Sequence, residues 1–162
     1  MSVIPTIKAF FNANRQYAIV GASNNPTKYG YKILAWYLNH NLSIIPINPK
    51  EQEILGTKVV NNINDVVKAI ASHQDILTYK TSSVDGLSIS FLTPPKITRA
   101  TVQDIGKIDG YKDVIKGLWF QPGSYDQEVL DAAQDLGVFE KVIHEGNCIL
   151  VSGENGMRAA GL

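Results

Sequence analysis

The feature that most constrains this chain is its alternation of short β-branched runs with amphipathic stretches of about ten residues. Residues 17–21 (YAIVG), 43–47 (SIIPI), 87–92 (LSISFL) and 114–120 (VIKGLWF) have the apolar, turn-bounded character of strands. Between them, residues 28–40, 64–72, 98–108 and 124–136 carry helical patterning. In the first of these helices Ile33, Leu34, Tyr37 and Leu38 fall near one face. Asn64 is the expected N-cap of the second, and Gly137 supplies the C′ residue of the last. Residues 141–143 and 148–151 are expected to add one or two more strand pieces. The stretch 73–86 (HQDILTYKTSSVDG) is compatible with an edge strand, a hairpin or a long loop. Strand–helix alternation implies βαβ units with right-handed crossovers. The expected fold is therefore α/β: a Rossmann-like, doubly wound, mainly parallel sheet with helices on both faces, in three layers. Residues 1–162 form a single domain, with its core at about 15–151.

A length of 162 residues suits one domain, and 44% hydrophobic residues suffice for a core. Fifteen basic and fifteen acidic residues leave no net charge, which excludes the usual signature of disorder. The same balance lacks the basic footprint of a nucleic-acid binder. One cysteine rules out an internal disulfide. No apolar run reaches the roughly 18 residues of a membrane span, and the opening segment is broken by Pro5, Lys8, Asn12, Asn14 and Arg15. A soluble cytoplasmic protein is expected, and nothing separates cytosol from nucleus.

Ligands of open α/β sheets bind beyond the carboxyl ends of the strands, so the residues after each strand matter most. Gly21, Ala22, Ser23 and Asn24 follow the first strand and lead through Lys28 to Gly30. Gly21 permits a tight exit, the small polar side chains offer donors, and the next helix aims its free N–H groups into the same space. Gly30 would let that helix pack closely. These are the parts of a phosphate cradle, although the spacing is not G-x-G-x-x-G; an ordinary capped strand-to-helix loop is the simpler alternative. After the second strand stand Asn48, Pro49 and Lys50, where an NAD site would place a carboxylate. A lysine suits a phosphate on the ribose, as in NADP or coenzyme A, unless it is merely an exposed turn residue. Thr93, Pro94 and Pro95 follow the third strand, and Gln121 and Gly123 the fourth.

Together VGASNNPTKYG (20–30), PINPKEQEILG (46–56), Pro94-Pro95, LWFQPGS (118–124) and CILV (148–151) resemble the small stand-alone coenzyme A-binding domain proteins. Those proteins are relatives of the nucleotide-binding domain of succinyl-CoA ligase α subunits. The resemblance runs from about Tyr17 to Val151. It implies that Ser23 and nearby main chain meet phosphates, that Lys50 pairs with the phosphate end, and that Thr93-Pro94-Pro95 lines the adenine or pantetheine path. The polar stretch 72–86 departs from the pattern.

The ligase relatives use a second domain with a phosphorylated histidine, for which 162 residues leave no room. His40, His73 and His144 lie far apart, and His144 with Cys148 makes only half a zinc site. His40 is expected to be structural and Cys148 a buried core residue. No G-x-S-x-G, Walker loop or Tyr-x-x-x-Lys is present. Asp126, Glu128, Asp131 and Asp135 fit a solvated helix face. Trp119 would serve either as a base-stacking group or as core. The expected function is binding of coenzyme A or acyl-CoA, a small-molecule nucleotide ligand, with no catalytic residue and no metal. An NADP-binding oxidoreductase or redox sensor is the alternative. No nucleic acid or membrane partner is expected, and a protein partner or homodimer remains open.

Overall fold

A computed structural model describes residues 4–162, Ile4 by its backbone alone. The order of elements is α1 (Ile4–Phe10), β1 (Arg15–Val20), α2 (Tyr29–Asn39), β2 (Ile44–Ile47), β3 (Glu53–Ile54), β4 (Thr57–Lys58), α3 (Ile63–Ala71), β5 (Gly86–Phe91), α4 (Pro95–Ile105), α5 (Tyr111–Val114), β6 (Ile115–Phe120), α6 (Gln127–Asp135), β7 (Val142–Ile143) and α7 (Ile149–Ala159). The main sheet runs β2-β1-β5-β6-β7, and every pairing in it is parallel. Counted among its own strands this is 2-1-3-4-5, one of the two common doubly wound orders. From β1 the chain steps outward to β2, then crosses back past β1 to β5. Right-handed crossovers taken in opposite directions place α2 and α3 on opposite faces.

Side-chain alternation divides the core accordingly. Tyr17 and Ile19 of β1 and Trp119 of β6 pack under α1, α2 and α7. Ala18, Val20, Ile89, Phe91, Leu118 and Phe120 face the layer of α3 to α6. The central β5 carries two serines on the first face, both fully buried and both satisfied. Ser88 Oγ donates to the Phe10 carbonyl at 2.6 Å, and Ser90 Oγ meets Tyr37 Oη at 2.8 Å. Burial holds the Tyr37 phenol above its ordinary range. Arg15, 8% exposed, makes a bidentate pair with Asp85 at 2.8 and 2.9 Å and donates to the Ala9 and Phe10 carbonyls. It ties the end of α1 to the amino end of the sheet.

Several expectations need correcting. Residues 148–151 are not a strand: Cys148 is the N-cap of α7, and the glycine-rich residues beyond it are helical. Ile149, Gly153 and Gly156 turn inward while Val151 is exposed, a helical period that a short apolar run conceals. Asn62, not Asn64, caps α3, its side chain accepting from the Asn64 N–H at 2.9 Å. The third strand's following helix begins at Pro95 because proline is favoured at N1. The last sheet-crossing helix begins at Gln127, capped by Asp126. The sequence gives no expectation of α1; Ile7 and Phe10 bury its inner face, and Phe11 just beyond it joins the same cluster. Residues 73–85 form a loop with an isolated Ile76–Tyr79 bridge and a short 3-10 turn at Thr81–Ser83, and Gly86 already belongs to β5. The Ser82 hydroxyl, and then its N–H donating at 3.1 Å, hold the Asp75 carboxyl below its ordinary range. Trp119 is core: it is fully buried and its indole donates to the Asn147 carbonyl at 2.9 Å. No helix among the described residues is long and apolar enough to cross a membrane.

Candidate functional site

The switch in strand order falls between β1 and β5, and their carboxyl ends open onto a groove of about 620 Å³. Gly21, Ala22, Ser23, Lys28, Gly30, Asn48, Thr93, Pro94 and Gly123 line it, all of them residues singled out in the sequence. Thr27, Tyr29, Leu92 and Pro122 complete the wall and were not. Each of these four adjoins a predicted site residue, and Thr27, Tyr29 and Pro122 sit inside the motifs at 20–30 and 118–124.

Local geometry explains the groove's main-chain character. Gly21 has φ +101°, a left-handed conformation that glycine adopts without strain. The turn it makes is held by donation of the Gly21 and Ala22 N–H groups to the Ile47 carbonyl. Gly30 lets the first turn of α2 abut this loop: an added Cβ would lie 2.2 Å from the Gly21 oxygen. α2 starts without a side-chain cap, and its Tyr29 and Gly30 amides have no acceptor among the described residues. Free N–H groups and the positive end of the helix dipole thus face the groove beside Lys28.

Other polar side chains are occupied by the protein itself. Asn48 donates to the Ala22 carbonyl at 2.9 Å and accepts from the Lys50 and Glu51 N–H groups at 2.8 and 3.0 Å. It fastens the first loop to the second. Asn24 lies outside the groove, exposed, and donates to the Glu51 carboxylate and the Glu53 carbonyl. Ser23 Oγ accepts from the Asn25 N–H at 3.0 Å. Thr93 and Thr98 share a 2.8 Å hydroxyl contact. Pro95 faces a separate surface hollow with Lys96 and Arg99. Lys50 is exposed and has no ion-pair partner among the described residues.

Two smaller recesses adjoin the groove. One, about 250 Å³, shares Gly21 and Thr93 with it and is walled by Pro49, Ile63, Asn64 and Ile97. Its asparagines reach the sheet edge because the β3–β4 hairpin folds back, pairing Val60 beside Ile47. Asn61 Nδ2 then donates to the Asn48 and Glu51 carbonyls at 2.8 and 3.2 Å. Asn64 Oδ1 is buried without a donor. The other recess, a pouch of about 180 Å³, shares Tyr29, Leu92 and Pro122 with the groove and is closed by Ile33, Gln121 and Cys148. Gln121 is therefore in the pouch, not in the open groove. Cys148, expected in the core, is only half-buried. The described residues contain no group of three or more His, Cys, Asp or Glu placed to hold a metal ion.

A parallel sheet in this order, with helices on both faces, defines the Rossmann-like doubly wound class of α/β domain, whose ligand crevice lies at the switch point. The chain belongs to the CoA binding domain family, whose pattern it matches over residues 15–154. It is 42% identical over 52 residues to an acetate–CoA ligase (ADP-forming) of Methanocaldococcus jannaschii, a match spanning 32% of this chain and 7% of that ligase. Among solved structures it is similar to a conserved hypothetical protein of Pyrococcus furiosus (TM-score 0.63, 30% identity, 85% of this chain and 98% of that one). A Thermus thermophilus protein shares the fold at TM-score 0.70 and 16% identity, over 96% of this chain and 99% of that one.

Proposed function

We infer that the switch-point edge binds coenzyme A or an acyl-CoA, and that the protein holds this ligand without a reaction of its own. The observation that supports this best is the succession of three connected recesses of different chemistry. Coenzyme A is itself a base, a phosphate run and an amphiphilic arm joined in that order. The base fits the 250 Å³ recess, where its exocyclic amine would meet the unpartnered Asn64 Oδ1 between Ile63 and Ile97. The diphosphate lies over the Gly21 turn and the free amides of α2. The ribose phosphate falls beyond Pro49, within the range of Lys50. The arm runs to the apolar pouch, a shape with no use for the polar nicotinamide end of NADP. Family membership and the partial likeness to an acetate–CoA ligase support the same reading.

Calorimetric titration with coenzyme A, acetyl-CoA, 3′-dephospho-CoA and NADPH tests it. Saturable binding of the first two is expected, weakened roughly tenfold by loss of the 3′-phosphate, as for one charge-assisted contact. Lys50→Ala should weaken coenzyme A by a similar factor and spare the dephospho form. Equal loss for both removes Lys50 from the site, and a preference for NADPH contradicts the reading as a whole.

A further inference from the structure

We propose that Cys148 is a thiol-exchange site: the pouch admits the sulfur end of a pantetheine-type disulfide, and Cys148 retains that half as a mixed disulfide. The proposal rests on the reading that the edge binds coenzyme A.

Cys148 is the sole cysteine, half-buried at the N-cap of the eleven-residue α7, and its side chain caps nothing. Gln121, only 1% exposed, lines the same pouch. Its Oε1 accepts from the Ile149 N–H at 3.1 Å, next to Cys148 in the chain. That bond settles which end of the amide is oxygen. Nε2 is left buried with no acceptor. An unmet buried donor is costly, and a ligand that brings an acceptor removes the cost.

The pantetheine arm ends in an amide, two methylenes and sulfur. Its amide carbonyl is the acceptor that Gln121 Nε2 lacks, while Ile33, Leu92 and Pro122 supply apolar contact for the methylenes. Cys148 lines the same pouch, where the sulfur at the end of the arm meets it. Because Cys148 is half-exposed, the second half of a disulfide can extend into solvent.

In the exchange, the Cys148 thiolate attacks the nearer sulfur of the bound disulfide. A Cys148 Sγ–S bond forms as the original S–S bond breaks, and the outer half departs as a thiolate with the bonding pair. The proton released from Cys148 passes to water or to that thiolate. Cys148 is oxidised and the departing half reduced, with the disulfide itself as oxidant.

The test is intact-mass analysis of the full chain treated with coenzyme A disulfide or glutathione disulfide at equal concentration. Coenzyme A binding is measured calorimetrically on the same preparation. One coenzyme A half per chain is expected, formed roughly tenfold or more faster than the glutathione adduct because binding pre-positions the sulfur. Free coenzyme A should slow it, and Cys148→Ser should take no adduct. Equal rates for the two disulfides in a protein that binds coenzyme A would overturn the exchange site and leave the binding reading standing. Absence of coenzyme A binding would overturn that reading and this proposal together.

Discussion

A Cβ at Gly30 would meet the Gly21 carbonyl, which is main chain and has no rotamer to swing away. In Gly30→Ala the start of α2 must therefore move off the turn. A stability loss of about 1–3 kcal/mol is expected, together with weakened ligand binding, since the free amides move as well. Chemical denaturation and titration of one preparation check both; unchanged values in each would remove the close approach from the account. This glycine was legible in the sequence because its spacing after a strand suggested close packing. The asparagines were legible only as polar residues. Asn24 and Asn48 looked like ligand donors, but a short amide side chain readily satisfies nearby main chain instead. Both do so here, one holding the second loop and the other joining the loops together.

At the scale of the element, α7 shows where local pattern misleads. Its Ile-Leu-Val start favours a strand and its two internal glycines disfavour a helix by about 1 kcal/mol each. Tertiary packing overrides both. Gly153 lets α7 lie against Trp36, where an added Cβ would fall 2.4 Å from Cζ2 of the indole, and Gly156 does the same against Ile7. Gly153→Ala therefore sets propensity against packing. A net loss of about 1 kcal/mol is expected in urea unfolding, because Trp36 is itself wedged against Phe11, Tyr37 and His40. A gain in stability would show that the indole can yield. The β3–β4 hairpin was equally hidden. Its two-residue strands carry too little periodicity to register, yet they return Asn61–Asn64 to the sheet edge and so build the recess assigned to the base.

Across the whole molecule, the succession of strands and helices was legible because period and turn chemistry are local. Strand order was not, since pairing joins residues far apart: Tyr17 lies between Ile44 and Ser88. Parallel pairing puts all the post-strand loops on one edge, and the order sets those after β2, β1, β5 and β6 side by side around the switch point. Arg15 and Asp85 stand at the opposite end of the sheet, joining α1 to the amino ends of β1 and β5. The two edges thus differ in kind: the amino edge holds the layers together, and the carboxyl edge carries the groove proposed to bind the ligand. Their separation gives the central claim its most direct test, an amide NMR titration of the full chain with coenzyme A. Shifts concentrated at Gly21, Ser23, Gly30, Thr93 and Gly123, with Arg15, Gly86 and Ile115 unmoved, are the expected result. Saturable shifts centred on the Arg15–Asp85 edge instead would contradict the account.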